Sequence, residues 1–403
     1  MEYPKKILVI GGGTAGWLTA LYLNKLCEDS IITLVESDTI GILGAGEGSV
    51  PTMVEILRAL GITESEFMRE TKSTFKKGID FENWSASKSK YEHYFIGERN
   101  YSYHFDARLV ADYFKKIGIN RGVLRIEGDI VQLNTNDDGV CSVDLKDGTQ
   151  IECDFLFDCS GFKRLILNEE TGVYPEQWIT FNEYLTLNSA IPFFLERTDT
   201  DMYTTTRAIT MKYGWMWMIP LQHRWGCGYV FDDNYITQQD AVKEVEEFLG
   251  YPIENNRVIK FNAGHFKRVW KKNTISIGLS TGFIEPLEAT AIMTVITQLF
   301  LLEKYFLDRN VDDYNKDIFS SNEENMLFIF YHYICNRDDT KFWQFYKNRT
   351  SIPPKLMEMV DENFNVKLTE RKEFKKVFHR SNGYILNSWN VVNSGARNIK
   401  KLL

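Results

Sequence analysis

Apolar and polar positions along the chain follow two periods. Residues 5–10 (KKILVI) are a short apolar run ending in glycines, the pattern of a strand buried on both faces of a parallel sheet. Gly11-Gly12-Gly13-Thr14-Ala15-Gly16 comes next, then helical spacing from Trp17 to Leu26, then a second apolar run, IITLVE, closing on Glu36. Two parallel strands joined in this way need a right-handed crossover. Helical spacing returns over roughly 52–77, 108–120, 239–249 and 289–307, with Asp106 placed to cap the second of these. Residues 41–52 (GILGAGEGSVPT) are too rich in glycine for an element of their own. Short alternating strands follow the 108–120 helix, with hairpin turns at Asp137-Asp138-Gly139 and Lys146-Asp147-Gly148. Strands are expected to about residue 233 and helices from about 320 onward.

The first glycines satisfy GxGxxG at Gly11, Gly13 and Gly16. Their physical use is a tight turn, close backbone approach to a pyrophosphate, and close packing of helix on strand. The helix that follows turns free N–H groups toward a phosphate, with Thr14 and Ala15 of the Gly-rich turn beside it as further contacts. Glu36 ends the next strand, where an acid accepts from ribose hydroxyls. The motif does not distinguish FAD from NAD. Asp158-Cys159-Ser160-Gly161-Phe162 ends another apolar strand; an acceptor at Asp158 and an open backbone at Gly161 tip the nucleotide towards FAD, although an ordinary strand-to-loop turn has the same composition.

Three further segments carry candidate chemistry, each with a plainer reading beside it. Gly214–Pro220 (GWMWMIP) alternates in period two, so Trp215 and Trp217 face one way; a core strand does the same. Lys76 lies in TFKKGIDFENW, where a lysine is ordinarily a solvated charge. Gly278–Ile292 (GLSTGFIEPLEATAI) is Gly- and Thr-rich, then places Glu288 at the start of a helical pattern. An acid there is favourable for stability alone, and the same loop offers N–H groups to a small anion.

Composition narrows the function classes. Forty-seven basic against 55 acidic side chains leave a net charge of −8, which argues against nucleic acid as the main partner. The six cysteines form no CxxC pair and no metal-ligand spacing, as expected of reduced thiols in a cytoplasmic protein with no metal site. No apolar run approaches the length of a membrane span.

Taken together, these segments resemble the flavin-dependent halogenases of the tryptophan halogenase family. GGGTAGW resembles its FAD fingerprint and GAGEGSVPT its strap over the flavin, with Ala45 and Glu47 in that strap. FKKGIDFENW resembles the segment carrying its lysine; HFDARLV, DCSGF, WMWMIP, RWGCGYVF, GLSTGFIEPLEAT and NRDDTKFW complete the series. The resemblance implies an α/β fold with a Rossmann-like FAD-binding core of the GR2 type shared with flavin monooxygenases, containing mixed sheets. It implies a core over 1–315, with substrate-side strands at about 170–265, and a mainly helical region over 316–403 closing the substrate site. It implies an enzyme that forms hypohalous acid at a flavin C4a-hydroperoxide, from FADH2, O2 and chloride or bromide. Lys76 would carry the halogen to an indole- or phenol-like substrate, small or carrier-bound, with Glu288 beside it. Thr290 and Ala291 would adjoin the halide, Trp215 and Trp217 would separate substrate from flavin, and Gly282 would complete the flavin contacts. Ala291 stands where the family carries glycine or serine, which points to altered halide fit. The family's substrate-sandwiching aromatics find no match in the C-terminal region, which points away from free tryptophan. With no second GxGxxG, FADH2 is expected from a separate NAD(P)H-dependent reductase. A homodimer is compatible with this reading. An aromatic hydroxylating monooxygenase shares the FAD features but has no need of Lys76 or the tryptophan pair, and a non-catalytic flavin binder would not need to keep them.

Overall fold

The computed structural model describes residues 2–37, 46–86, 88–97, 100–197, 203–254, 257–335, 337–349, 351–359 and 386–396. The chain opens with β1 (Lys6–Ile10), α1 (Thr14–Leu26) and β2 (Ile31–Glu36), paired in parallel. Next come β3 (Glu47–Gly48), α2 (Thr52–Ala59), α3 (Glu64–Thr71), β4 (Thr74–Lys76), β5 (Gly78–Glu82), β6 (Lys90–Tyr94) and β7 (Ser102–Phe105). The helical spacing expected over 52–77 is thus two helices and a strand. Thr63 caps α3 through its side chain, Lys72 ends it in the left-handed region, and Thr74-Phe75-Lys76 then pair with β7.

Asp106 caps α4 (Ala107–Asn120), accepting from the Arg108 N–H. Strands β8 (Leu124–Glu127), β9 (Ile130–Thr135), β10 (Val140–Leu145), β11 (Gln150–Glu152) and β12 (Phe155–Asp158) follow, with both expected hairpins present. Trp270–Lys271, Thr274–Ser276, β12, β1, β2 and β8 form a six-stranded sheet, parallel except at the first edge. Each central strand is buried on both faces, as a parallel sheet covered by helices requires.

After β13 (Trp178–Thr180), the strands β14 (Ser189–Glu196), β15 (Thr205–Met211), β16 (Gly214–Pro220) and β17 (Arg224–Phe231), with the short edge strand Ile259–Lys260, join β5 and β6 in a seven-stranded mixed sheet. One face holds Met216, Met218 and Tyr229 under α5 (Gln238–Leu249). The other holds Trp215, Trp217 and Ile219 against the C-terminal helices. These are α7 (Val311–Tyr333), α8 (Lys341–Lys347), α9 (Pro354–Met359) and α10 (Leu386–Ala396), whereas α6 (Thr290–Tyr305), which precedes them, packs in the core of the parallel sheet. The expected division at 315/316 falls inside α7. Asn315 binds the backbone of Val269 and Trp270 in the core, while Phe328 and Tyr331 pack under Trp389 of α10. One helix therefore serves both regions. Among the described residues no helix is long and apolar enough to cross a membrane, and no cluster of side chains is suited to a metal ion.

Candidate functional site

The turn between β1 and α1 is shaped by backbone contact. Gly11 has φ +111°, and a Cβ there would lie 2.3 Å from the Cys159 carbonyl oxygen; one on Gly16 would lie 1.8 Å from that of Gly11. Gly13, the N-cap of α1, has open space where its Cβ would be and no side-chain cap. Among the described residues the first N–H groups of α1 thus lack a protein partner on their open side, a cradle for an anion at a helix N-terminus. Glu36 lies alongside. Its carboxylate accepts from Trp17 Nε1 at 3.1 Å, Lys115 Nζ at 2.5 Å and Arg125 Nε. Burial opposes ionisation, and these hydrogen bonds outweigh it, holding the carboxyl below its usual range.

This cradle opens into a cavity of about 1330 Å³. Its walls include Gly11, Gly13, Thr14, Ala15, Glu36, Glu47, Gly161, Lys76, Trp215, Trp217, Glu288 and Ala291. A single ligand pocket is ordinarily about 300–1,000 Å³, so there is room for a dinucleotide and a second molecule. Four expected contacts are elsewhere. Asp158 is fully buried and turned inward, its carboxylate accepting from the backbone N–H groups of Ser160 at 2.9 Å and Ile166 at 3.1 Å. It fixes the loop whose Cys159, Ser160 and Gly161 face the cavity. Gly282 does not line the cavity; it makes room for His265, whose Cβ would lie 2.7 Å from an added Cβ. Thr290 turns its hydroxyl to the Glu285 carbonyl oxygen and leaves the wall to Ala289 and Ala291. Gly16 packs helix on strand behind the wall. Ala45 lies outside the described residues.

Lys76 ends β4 and is 1% exposed, whereas Lys77 beside it is exposed. Its Nζ has no hydrogen-bond partner among the described residues and stands 5.6 Å from the Phe95 ring centre. Burial brings its pKa down to about 8, against the pull of the Glu288 charge. Gly48 touches it: a Cβ there would meet Nζ at 2.9 Å. Trp215 and Trp217 share one face with ring centres 6.2 Å apart. Trp217 fits only because Gly228 lies under its ring, where a Cβ would approach to 2.1 Å. Trp215 Nε1 donates to Glu285 Oε1 at 3.1 Å, as does the Tyr333 hydroxyl at 2.8 Å.

Glu288 is not part of a helix. It and Ala289 both have positive φ, 63° and 58°, in the turn before α6. Its carboxylate is 3% exposed and meets two histidines, His93 and His332. Burial would raise its pKa; the His93 charge and the bonds from both imidazoles win and hold it well below the ordinary range. Sequence reasoning missed both histidines. The signal for His93 was present, since Tyr91 and His93 occupy the buried positions of an alternating strand. His332 follows an apolar helical run, MLFIFY, where a core histidine is the plainer reading.

The tryptophan halogenase family model matches residues 6–99 and 95–398. The chain belongs to the tryptophan halogenase family. It is accordingly a flavin-dependent halogenase, an oxidoreductase, with the α/β fold expected. The tryptophan 7-halogenase RebH of Lentzea aerocolonigenes is 30% identical over 84% of this chain and 78% of its own length. The flavin-dependent halogenase Xcc4156 of Xanthomonas campestris superposes with a TM-score of 0.87 at 31% identity, covering 98% of this chain and 89% of the other. The tryptophan 6-halogenase SttH of Streptomyces toxytricini superposes at 0.90 and 27% identity, covering 98% and 91%. In this halogenase Lys76, the tryptophan pair and Glu288 share one cavity with the nucleotide cradle.

Proposed function

We propose that this halogenase takes FADH2 from a separate NAD(P)H-dependent flavin reductase and, with O2 and halide, halogenates an electron-rich indole- or phenol-like substrate. One observation carries the reading: a buried lysine without a hydrogen-bond partner among the described residues lies in the same cavity as the nucleotide cradle. The N-terminus of α1 and Gly13 would hold the pyrophosphate, Glu36 the ribose, and Gly161 the region beyond. When bound, reduced FAD would supply the two electrons that activate O2, the oxidant, so that FADH2, O2, halide and a proton give FAD, hypohalous acid and water.

The chain's own residues guide that reagent. Ala291, in the uncapped first turn of α6, adjoins the halide position. Trp215 and Trp217 keep the substrate from the flavin. Lys76 meets hypohalous acid on the substrate side, its ammonium polarising the oxygen or its amine carrying the halogen. Glu288 stabilises the cationic ring or takes its proton. The six free thiols support a cytoplasmic setting.

Supplying FADH2 with bromide or chloride to simple indoles and phenols tests the reading, with products identified by mass spectrometry. Halogenated products are expected; hydroxylated products in their place would sink it. Bromide is less hydrated than chloride, so with equimolar halides bromination is expected to equal or exceed chlorination.

A further inference from the structure

The Glu288 carboxylate is gripped by two elements distant in sequence. His93 on β6 places Nδ1 2.8 Å from Oε1, and His332, near the end of α7, places Nε2 3.1 Å from the same oxygen. All three side chains are buried. The other nitrogen of His332, Nδ1, lies 2.8 Å from the Phe328 carbonyl oxygen. A carbonyl only accepts, so that nitrogen carries a proton. The contact between Nε2 and a carboxylate oxygen then closes only with a second proton between them. His332 and Glu288 therefore share one proton.

Both bonds fall on Oε1. Oε2 has no hydrogen-bond partner among the described residues, and Glu288 lines the cavity with Lys76. We propose that His332 and His93 are positioning residues for halogen transfer: they occupy Oε1 of Glu288 and leave Oε2 as the oxygen that takes the ring proton of the substrate. This inference rests on the function proposed above and deepens it.

Electrophilic attack leaves one ring carbon bearing both halogen and hydrogen. Its C–H bond breaks, the electron pair returns to the ring, and the proton goes to Oε2. Oε1 then loses charge and the shared proton moves fully onto Nε2 of His332. Positive charge passes from the ring to the imidazolium of His332, which stays hydrogen-bonded to Oε1 of Glu288 and to the Phe328 carbonyl oxygen. A ring cation of this kind is a strong acid, so a clamped and weakly basic carboxylate suffices. The step depends on placement.

Ring-deuterated indole is the probe, with His332→Gln, His332→Phe and His93→Gln compared with the full-length parent. In the parent, proton loss is fast and product formation shows no isotope effect. In the His332 variants, product per flavin oxidised falls roughly tenfold or more, and a primary isotope effect appears. His93→Gln shows the same change, smaller. FAD binding reports folding; if His332→Phe loses it, His332→Gln, which keeps a donor, decides. Product loss without an isotope effect, or undiminished product, overturns the proposal. In parallel, 15N-histidine NMR of the parent should show one ring, absent from His332→Gln, with both nitrogens protonated at neutral pH. A single neutral tautomer there overturns the clamp. A doubly protonated ring in a parent that makes no halogenated product would instead remove the halogenase reading and the proton step with it, while the clamp stands.

Discussion

Lys76 shows how much one residue's surroundings decide. Its position in the FKKG segment was legible, but nothing in local composition announced its burial, because β4 becomes a strand only by pairing with β7, Lys76 opposite Ser102. Lys76→Ala is expected to bind FAD and oxidise FADH2 while losing nearly all halogenated product; Lys77→Ala, on an exposed neighbour, should match the parent. Stopped-flow flavin oxidation beside product analysis separates these outcomes. Burial also sets a stability cost. With a folded pKa of about 8 against about 10.4 unfolded, the unfolded chain binds the proton more tightly. Stability therefore rises as pH climbs from about 8 to about 10.4, by up to about 3 kcal/mol. Lys76→Met, which keeps the volume, should stabilise the fold at pH 7 by roughly 1–3 kcal/mol and lack that alkaline gain. Denaturant titrations at pH 7 and pH 10 check both. Gly48→Ala should act on the same ammonium from outside, since the added methyl has to push Nζ aside; product per flavin oxidised should fall while FAD binding is kept.

At the scale of elements, the turn into α6 departs most from what the chain pattern suggests. A glutamate near a helix N-terminus reads as a dipole contact. Here Glu288 and Ala289 are instead left-handed, and the helix starts only at Thr290. No glycine marks the bend, so nothing in composition announces it; the two histidines that hold the carboxylate come from β6 and α7, and no local spacing pairs either of them with Glu288. By contrast, the β1–α1–β2 unit and the period-two run of β16 were readable, because backbone packing and alternation are local properties. Since an alanine in the left-handed region costs about 1–2 kcal/mol, Ala289→Gly is expected to stabilise the protein by about 1 kcal/mol. A calorimetric Tm below that of the parent would contradict this.

Among the described residues the molecule has three apolar cores, and the cavity is walled by two of them. One packs around the parallel sheet; the other packs β16 against the C-terminal helices. α10 braces the second. Trp389 is fully buried against Phe328 and Tyr331 of α7, and Gly395 lies on the Tyr91 ring of β6, so one helix steadies the two elements that bear His332 and His93. Trp389→Ala should cost about 3–5 kcal/mol by chemical denaturation. The tryptophan pair brings a liability of its own. On the function proposed, Trp217, 8% exposed, turns an indole toward the cavity through which an electrophilic halogen would pass, and an indole is the kind of ring that such a reagent attacks. An enzyme turning over without substrate is its own nearest victim. Its working life is then counted in halogen atoms added to its own wall, and peptide mass spectrometry of spent protein should find them on Trp217 before Trp215, whose ring is 1% exposed.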